Sequence, residues 1–338
     1  MKRILLIAAI AFQILAVAAL AISREWIVKT GREMTFQTAP IDPRDIFRGD
    51  YVRLEYLFSN VSSHQFDNQI IQTGIKKGTK VYLSLQTGDN GISWGSRLSL
   101  RPPEQIPYLA GRVIESWPYK GYEEEFHSKL LMDELLQQPI QVKYGIEQYY
   151  VEQGSGRLME EIRGTRSSYQ VPLLIDTAVS GSGTAVIKSY HWANIAMMTE
   201  IVRSPERNAP PERSGAMIRF SLRNISDRSV TLPWKSGNCA FALQPVQSVP
   251  LETENLGLDR PACTEASRGS RILKPGQGIS VVFNLNNPEW YVEYNGKPTP
   301  MGRLPLSYRF RITYMDEKVE GVNARIRSRS FHGRGSID

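Results

Sequence analysis

The chain has 338 residues, 41% of them hydrophobic, and a formal net charge of +7 from 41 basic and 34 acidic side chains. That length predicts two domains, and the composition excludes a disordered or collagen-like chain. A mean hydropathy of −0.32 with one long apolar run excludes a polytopic membrane protein, and two cysteines and four histidines, unclustered, predict no metal centre and no cofactor.

The first predicted element is a transmembrane helix within residues 1–25. Lys2 and Arg3 precede an apolar run from Ile4 to Ile22, broken by Gln13 and closed by Ser23, Arg24 and Glu25. At 1.5 Å per residue the run spans about 28 Å, close to a bilayer core. The leading cations place the amino end in the cytoplasm and the chain after Arg24 outside it. A cleaved signal peptide is the alternative, because Ala16-Val17-Ala18 and Ala19-Leu20-Ala21 both show the small-x-small cleavage pattern. Both readings export the rest of the chain.

Residues 26–202 predict a β-rich domain with one or two short helices. In Pro40 to Tyr56, Asp42 suits an N-cap, Pro43 the first helical position, and Asp45 a capping box. One helical turn over 43–47 follows, ended by Gly49 in the left-handed conformation. A strand then starts at Asp50, with Val52, Leu54, Tyr56 and Phe58 inward and Tyr51, Arg53, Glu55 and Leu57 outward. Lys80 to Leu100 predicts a hairpin around Asp89-Asn90-Gly91. Phe126 to Leu136 has helical spacing and is closed by Pro139. Next, Val142, Tyr144 and Ile146 point inward along a strand. Glu147 points outward beside Lys143 and Tyr149, either solvated or paired with a motif arginine. A short helix over Gly156 to Arg163 and a hairpin of Val171 to Ile175 with Ala185 to Ile187 complete the domain. Gly91-Ile92-Ser93-Trp94-Gly95 fits a nucleophile elbow, but that motif needs a strand before it and a helix after, and both flanks here alternate like a hairpin.

Residues 203–215 are polar, hold three prolines and predict a linker. Residues 216–338 show short alternating strands at Ile218 to Leu222, Val230 to Leu232, Phe241 to Leu243, Ile279 to Phe283 and Tyr308 to Tyr314. That pattern predicts a β-sandwich of immunoglobulin type, with Trp192, Trp234, Trp290, Tyr291 and Tyr294 as core aromatics rather than a carbohydrate platform. Arg325, Arg327 and Arg329 alternate along a basic tail and predict the solvated face of a last strand. Nucleic-acid binding does not fit an exported chain without a recognised motif. Cys239 and Cys263, an even pair in an oxidising compartment, predict one disulfide.

Gly49-Asp50-Tyr51-Val52-Arg53-Leu54-Glu55-Tyr56 matches the signature Gly-Asp-Tyr-x-x-Leu-x-Tyr at every fixed position. The chain thereby resembles the GDYXXLXY family of bacterial membrane-anchored proteins over roughly residues 1–190. The lead-in from Pro40 to Arg48 and the block from Tyr144 to Val151 with Gly154-Ser155-Gly156 look like the same family. The resemblance implies a single-pass protein of the bacterial inner membrane. Its bulk would lie in the periplasm or outside the cell, with a polytopic inner-membrane protein as partner and no reaction of its own. Asp42, Arg44, Asp45, Arg48, Asp50, Tyr51, Arg53 and Glu147 are the candidate binding surface, and Gly49, Leu54, Tyr56 and Tyr144 the candidate frame. The rival expectation is an envelope hydrolase acting on glycan or peptide through a carboxylate pair drawn from Asp42, Asp45, Asp50 and Glu147.

Overall fold

The computed structural model describes residues 2–39, 51–117, 139–152, 168–206, 208–246, 266–306, 308–315 and 321–337, with residues 159, 162, 164, 256, 263 and 319 singly. The helical turn expected at 43–47 and the helix expected over 126–136 lie outside the described residues. Of the helix expected over 156–163, Met159 and Ile162 are described and both are helical.

Helix α1 (Lys2–Thr30) carries the apolar run with its side chains exposed. It is the one helix among the described residues long and apolar enough to cross a membrane. No glycine or proline occurs before Gly31, so nothing interrupts it. The helix passes straight into strand β1 (Arg32–Ala39) through Gly31, whose N–H donates to Ile27 O at 2.8 Å. A Cβ on Gly31 would stand 2.6 Å from that carbonyl, so glycine permits the tight junction. Arg24 Nη1 donates to Ala185 O (3.4 Å), tying the helix base to the domain.

The domain continues with β2 (Tyr51–Arg53), β3 (Glu55–Tyr56), β4 (Asn60–Val61), helix α2 (Asn68–Thr73), β5 (Lys80–Thr87), β6 (Ile92–Ser99) and β7 (Tyr108–Val113). Strands β8 (Ile140–Lys143), β9 (Gln148–Tyr150), β10 (Leu173–Val179) and β11 (Ala185–Trp192) follow. The main sheet has the order β11-β10-β1-β6-β5-β7-β8-β4, with β3 beside β1. Among the described strands, only β1 and β6 run parallel. The sheet curls until its β10–β11 turn reaches β7, where Gly183 O accepts from Ala110 N–H (2.8 Å) and the Tyr108 hydroxyl donates to Gly181 O (2.9 Å). The enclosed core includes Phe36, Tyr56, Leu83, Leu98, Val142 and Ile175. Both hairpins read from the sequence are present, β10–β11 being longer than its alternation suggests. Ser93 lies within β6, 3% exposed and hydrogen-bonded to Thr87, so the elbow-like sequence is a strand.

The second unit contains β12 (Ile195–Arg203), β13 (Met217–Asn224), β14 (Val230–Lys235), β15 (Phe241–Pro245), β16 (Arg268–Leu273), β17 (Gly278–Asn284), β18 (Val292–Tyr294), β19 (Lys297–Thr299) and β20 (Phe310–Tyr314). The sheets β12-β13-β17, β14-β16 and β15-β20 contribute to one core of Phe220, Phe241, Phe283, Trp290, Phe310 and Phe331. The Phe241 ring meets Phe220, Trp234 and Tyr314 edge-on, with centroids 6.1, 5.6 and 5.3 Å away. A disulfide joins Cys239 to Cys263, their Cα atoms 5.3 Å apart.

Two expectations meet a different arrangement. Residues 203–215 connect adjacent antiparallel strands of one sheet, because β12 pairs with β13 from Ile195–Asn224 to Arg203–Met217. Prolines and polar residues mark a loop, and a loop within a sheet has the composition of a linker between domains. The basic tail is not a solvated face. Val322, Ala324, Ile326 and Phe331 enter the core, and Arg325, Arg327 and Arg329 alternate with them, half-buried. The Arg325 guanidinium lies over the Trp94 ring at 4.2 Å, and the Gln37 side chain bonds both the N–H and the carbonyl of Arg325.

Candidate functional site

The signature segment was expected as one strand to Phe58 and is broken into two, β2 and β3, with β4 following beyond Phe58 and each of the three taking a different partner. Strand β2 pairs with β9, setting Tyr51 opposite Tyr150 and Arg53 opposite Gln148. Strand β3 pairs with β1 through Tyr56 and Thr38, and β4 pairs with β8 through Val61 and Ile140. A tight turn separates β3 from β4. Ser59 N–H donates to Tyr56 O (2.9 Å), and Ser59 Oγ accepts from Tyr56 N–H (3.1 Å).

The inward alternation holds across these breaks. Leu54 is 3% and Tyr56 1% exposed, and Phe58 is buried with them. The Phe58 ring stacks on Tyr56 (centroids 5.1 Å, planes 7° apart) and takes Phe36 and Tyr144 edge-on at 5.0 and 5.4 Å. Both tyrosine hydroxyls find carbonyls: Tyr56 donates to Ile146 O at 2.8 Å and Tyr144 to Phe58 O at 3.3 Å. Burial, with the neighbouring Glu147 charge, pushes both phenols well above their usual range, so they stay protonated donors. These hydrogen bonds sew the signature to the block at 144–147, and Leu54 N–H adds a bond to Glu147 O (2.8 Å).

Glu147 differs from its expected place in a strand. Gly145 takes φ +84°, a left-handed turn, and the Glu147 carboxylate accepts the N–H groups of Tyr144 and Gly145. It therefore closes a turn. Sequence reading missed this because alternation through Ile146 continues across the turn without a break.

Around this junction lies an open cleft of about 480 Å³. Arg53, Leu54 and Glu55 line it from the signature, and Gly145, Glu147 and Gln148 from the second block, with Lys143 and Gln141 on β8 beside them. Its two carboxylates are engaged internally: Glu147 by backbone N–H groups, Glu55 by the Asn60 side-chain amide (2.8 Å). Arg53 and Lys143 are exposed, and among the described residues neither has an ion-pair partner. Asp42, Arg44, Asp45, Arg48, Gly49 and Asp50 lie outside the described residues, and Tyr51 is described by its backbone pairing alone.

A second polar cluster, unread in the sequence, sits on β1, β10 and β11. Asp176 accepts hydrogen bonds from Thr35 Oγ1 (2.7 Å) and Ser189 Oγ (2.8 Å) and contacts His191 Nδ1 at 3.1 Å. Partial burial raises the Asp176 pKa, and these partners outweigh it, leaving the carboxyl below its ordinary value. No local pattern announces it, because strand pairing alone brings the residues together.

No curated protein and no solved structure matches the chain. The family model described as GDYXXLXY protein matches residues 13–189, which takes in α1 from its middle, the signature, the second block and the curled sheet as far as the first part of β11. With more than half of its length matched, and with the fixed signature residues Leu54 and Tyr56 at the centre of the first core, the chain belongs to the GDYXXLXY family.

Proposed function

We propose that this protein is a single-pass, non-enzymatic envelope protein of the bacterial inner membrane that docks a polytopic membrane partner through the signature cleft. Its bulk stands on the periplasmic or outer side, and its second unit, immunoglobulin-like in kind, serves as an adaptor. The observation that carries the reading is the division of labour around the cleft. Leu54, Tyr56 and Tyr144 are buried as a frame, while Arg53, Lys143 and Gln148 stand exposed on it. The unbroken passage from α1 into β1 supports a retained anchor and holds the cleft at a set height above the bilayer. The internal engagement of Glu147 counts against it as a member of the carboxylate pair that hydrolysis needs, one acid and one base free to act on a substrate.

The test is partner recovery from membranes in mild detergent, read beside melting temperature, for Tyr51→Ala and Arg53→Glu. Retained stability with lost recovery of a polytopic protein is expected. A monomeric wild-type protein that recovers nothing overturns the reading. A phosphatase fusion after Glu25 should be active and membrane-bound, and soluble activity would show a cleaved leader instead.

A further inference from the structure

We infer that Arg311, with Arg325 beside it, holds a small phosphate-type dianion at the join between the two units. The proposal is independent of the signature cleft and of what docks there. Strand β20 turns Phe310, Ile312 and Tyr314 into the second core, so Arg311 and Thr313 face the other way. Gln244 on β15 stands directly opposite Arg311, and Arg327 of the tail directly opposite Thr313. Arg311 is half-buried, and its Nε is buried without a hydrogen-bond partner. Among the described residues no acid pairs with it. Gln244 Oε1, the acceptor across the strand, takes the Thr313 hydroxyl instead (2.9 Å). The charge that does act on Arg311 is another cation, Arg325. Burial, and after it this like charge, lowers the Arg311 pKa from its ordinary value. A cation withdrawn from water and set beside a second cation is costly to keep unless an anion completes it.

The chemistry of the occupant follows from the two guanidinium groups. Each presents a planar fork of N–H donors that matches the oxygens of an oxyanion. Two neighbouring cations are balanced by a dianion, which phosphate supplies near neutral pH and a single carboxylate does not. Half-burial leaves the outer nitrogens of Arg311 to a small ion, while its Nε lies beneath the surface. Arg325 is fixed from the first unit, its guanidinium over the Trp94 ring at 4.2 Å and its backbone on the Gln37 side chain. A dianion shared with Arg311 on β20 therefore braces the second unit against β1 and β6.

The experiment uses the full-length protein in an uncharged detergent and a phosphate-free chloride buffer. Binding of radiolabelled inorganic phosphate is measured by equilibrium dialysis, beside melting temperature with and without phosphate. Saturable binding and a higher melting temperature with phosphate are expected of the wild type. Acetate at equal ionic strength should compete at least about tenfold less well. Arg311→Met should weaken phosphate binding at least about tenfold and abolish the phosphate-dependent rise. In phosphate-free buffer the same variant should melt at or above the wild-type temperature, because it removes a charge that has no partner. That readout separates a ligand-holding arginine from a structural one: a fall of several degrees would show that the guanidinium supports the fold by itself and overturn the proposal. Absence of phosphate binding by the wild type overturns it, as does binding that survives in Arg311→Met. Equal competition by acetate overturns the dianion assignment. Binding of short-chain phosphatidic acid without binding of inorganic phosphate would make the site a lipid-headgroup site and overturn the free-ion assignment. None of these outcomes bears on partner recovery, which tests the docking reading separately.

Discussion

Leu54 and Arg53 are neighbours in the signature, one turned into the core and the other into the cleft. Leu54→Ala should cost roughly 2–5 kcal/mol of stability, the range for truncating a buried leucine, while Arg53→Ala should leave stability nearly unchanged; denaturant titration of both variants checks this. Glu147→Ala strands two N–H groups of a turn, and a loss of about 1–3 kcal/mol is expected by the same measurement. A change near zero would show that the carboxylate is a solvated bystander after all. His332 gives a pH prediction. Its Nδ1 accepts from Arg334 N–H (3.1 Å) and its Nε2 lies 3.2 Å from Leu304 O and Pro305 O, so the ring is neutral with the proton on Nε2. Burial, opposed by those carbonyls, lowers its pKa below the ordinary value. The unfolded chain then takes up a proton that the folded chain refuses as pH falls below about 6.5. Stability should therefore decline between pH 7 and 5, and His332→Gln should flatten that decline in urea midpoints. An unchanged slope would remove His332 from the account.

Among elements, those defined by neighbours in sequence were legible and those defined by distant partners were not. The β5–β6 hairpin is announced by alternation and an Asn-Gly turn, because both strands and the turn are contiguous. The signature reads as one strand, because alternation records which face is buried and not which strand supplies the hydrogen bonds. Only the meeting of β9 and β1 with residues 51–56 breaks it in two, β8 then taking up the next strand at Asn60–Val61. The cleft exists because of those breaks, so its lining by Gln141 and Lys143 left no trace near the motif. The disulfide was legible from number and compartment, and closing its loop should contribute about 3–4 kcal/mol. Cys239→Ser with Cys263→Ser should lower stability by that amount under oxidising conditions, and a reductant should do the same to the wild-type protein. A double variant as stable as wild type would show the bridge to be incidental.

At the scale of the whole molecule, the two units share a core. Ile92, Val171 and Leu174 from the first pack with Phe220, Ile326 and Phe331 of the second. Asn194 and Asn323 exchange backbone-to-side-chain hydrogen bonds of 2.8 and 3.2 Å across the join. Calorimetry of the full chain in detergent should therefore show one cooperative transition. Two separated transitions would mean that the units are independent and the join weak. The sequence by itself determined the long apolar helix at the amino end, the mainly β character, the inward positions of the signature, the pairing of the cysteines and the family, since each follows from residues close in the chain or from their periodicity. The tertiary structure alone decided that residues 203–215 stay within one sheet, that the arginine-rich tail packs inward over Trp94, and that Glu147 closes a turn beside Arg53 and Lys143. Those outcomes depend on which distant strands hydrogen-bond to one another and which charges find partners there, and neither is encoded in local pattern.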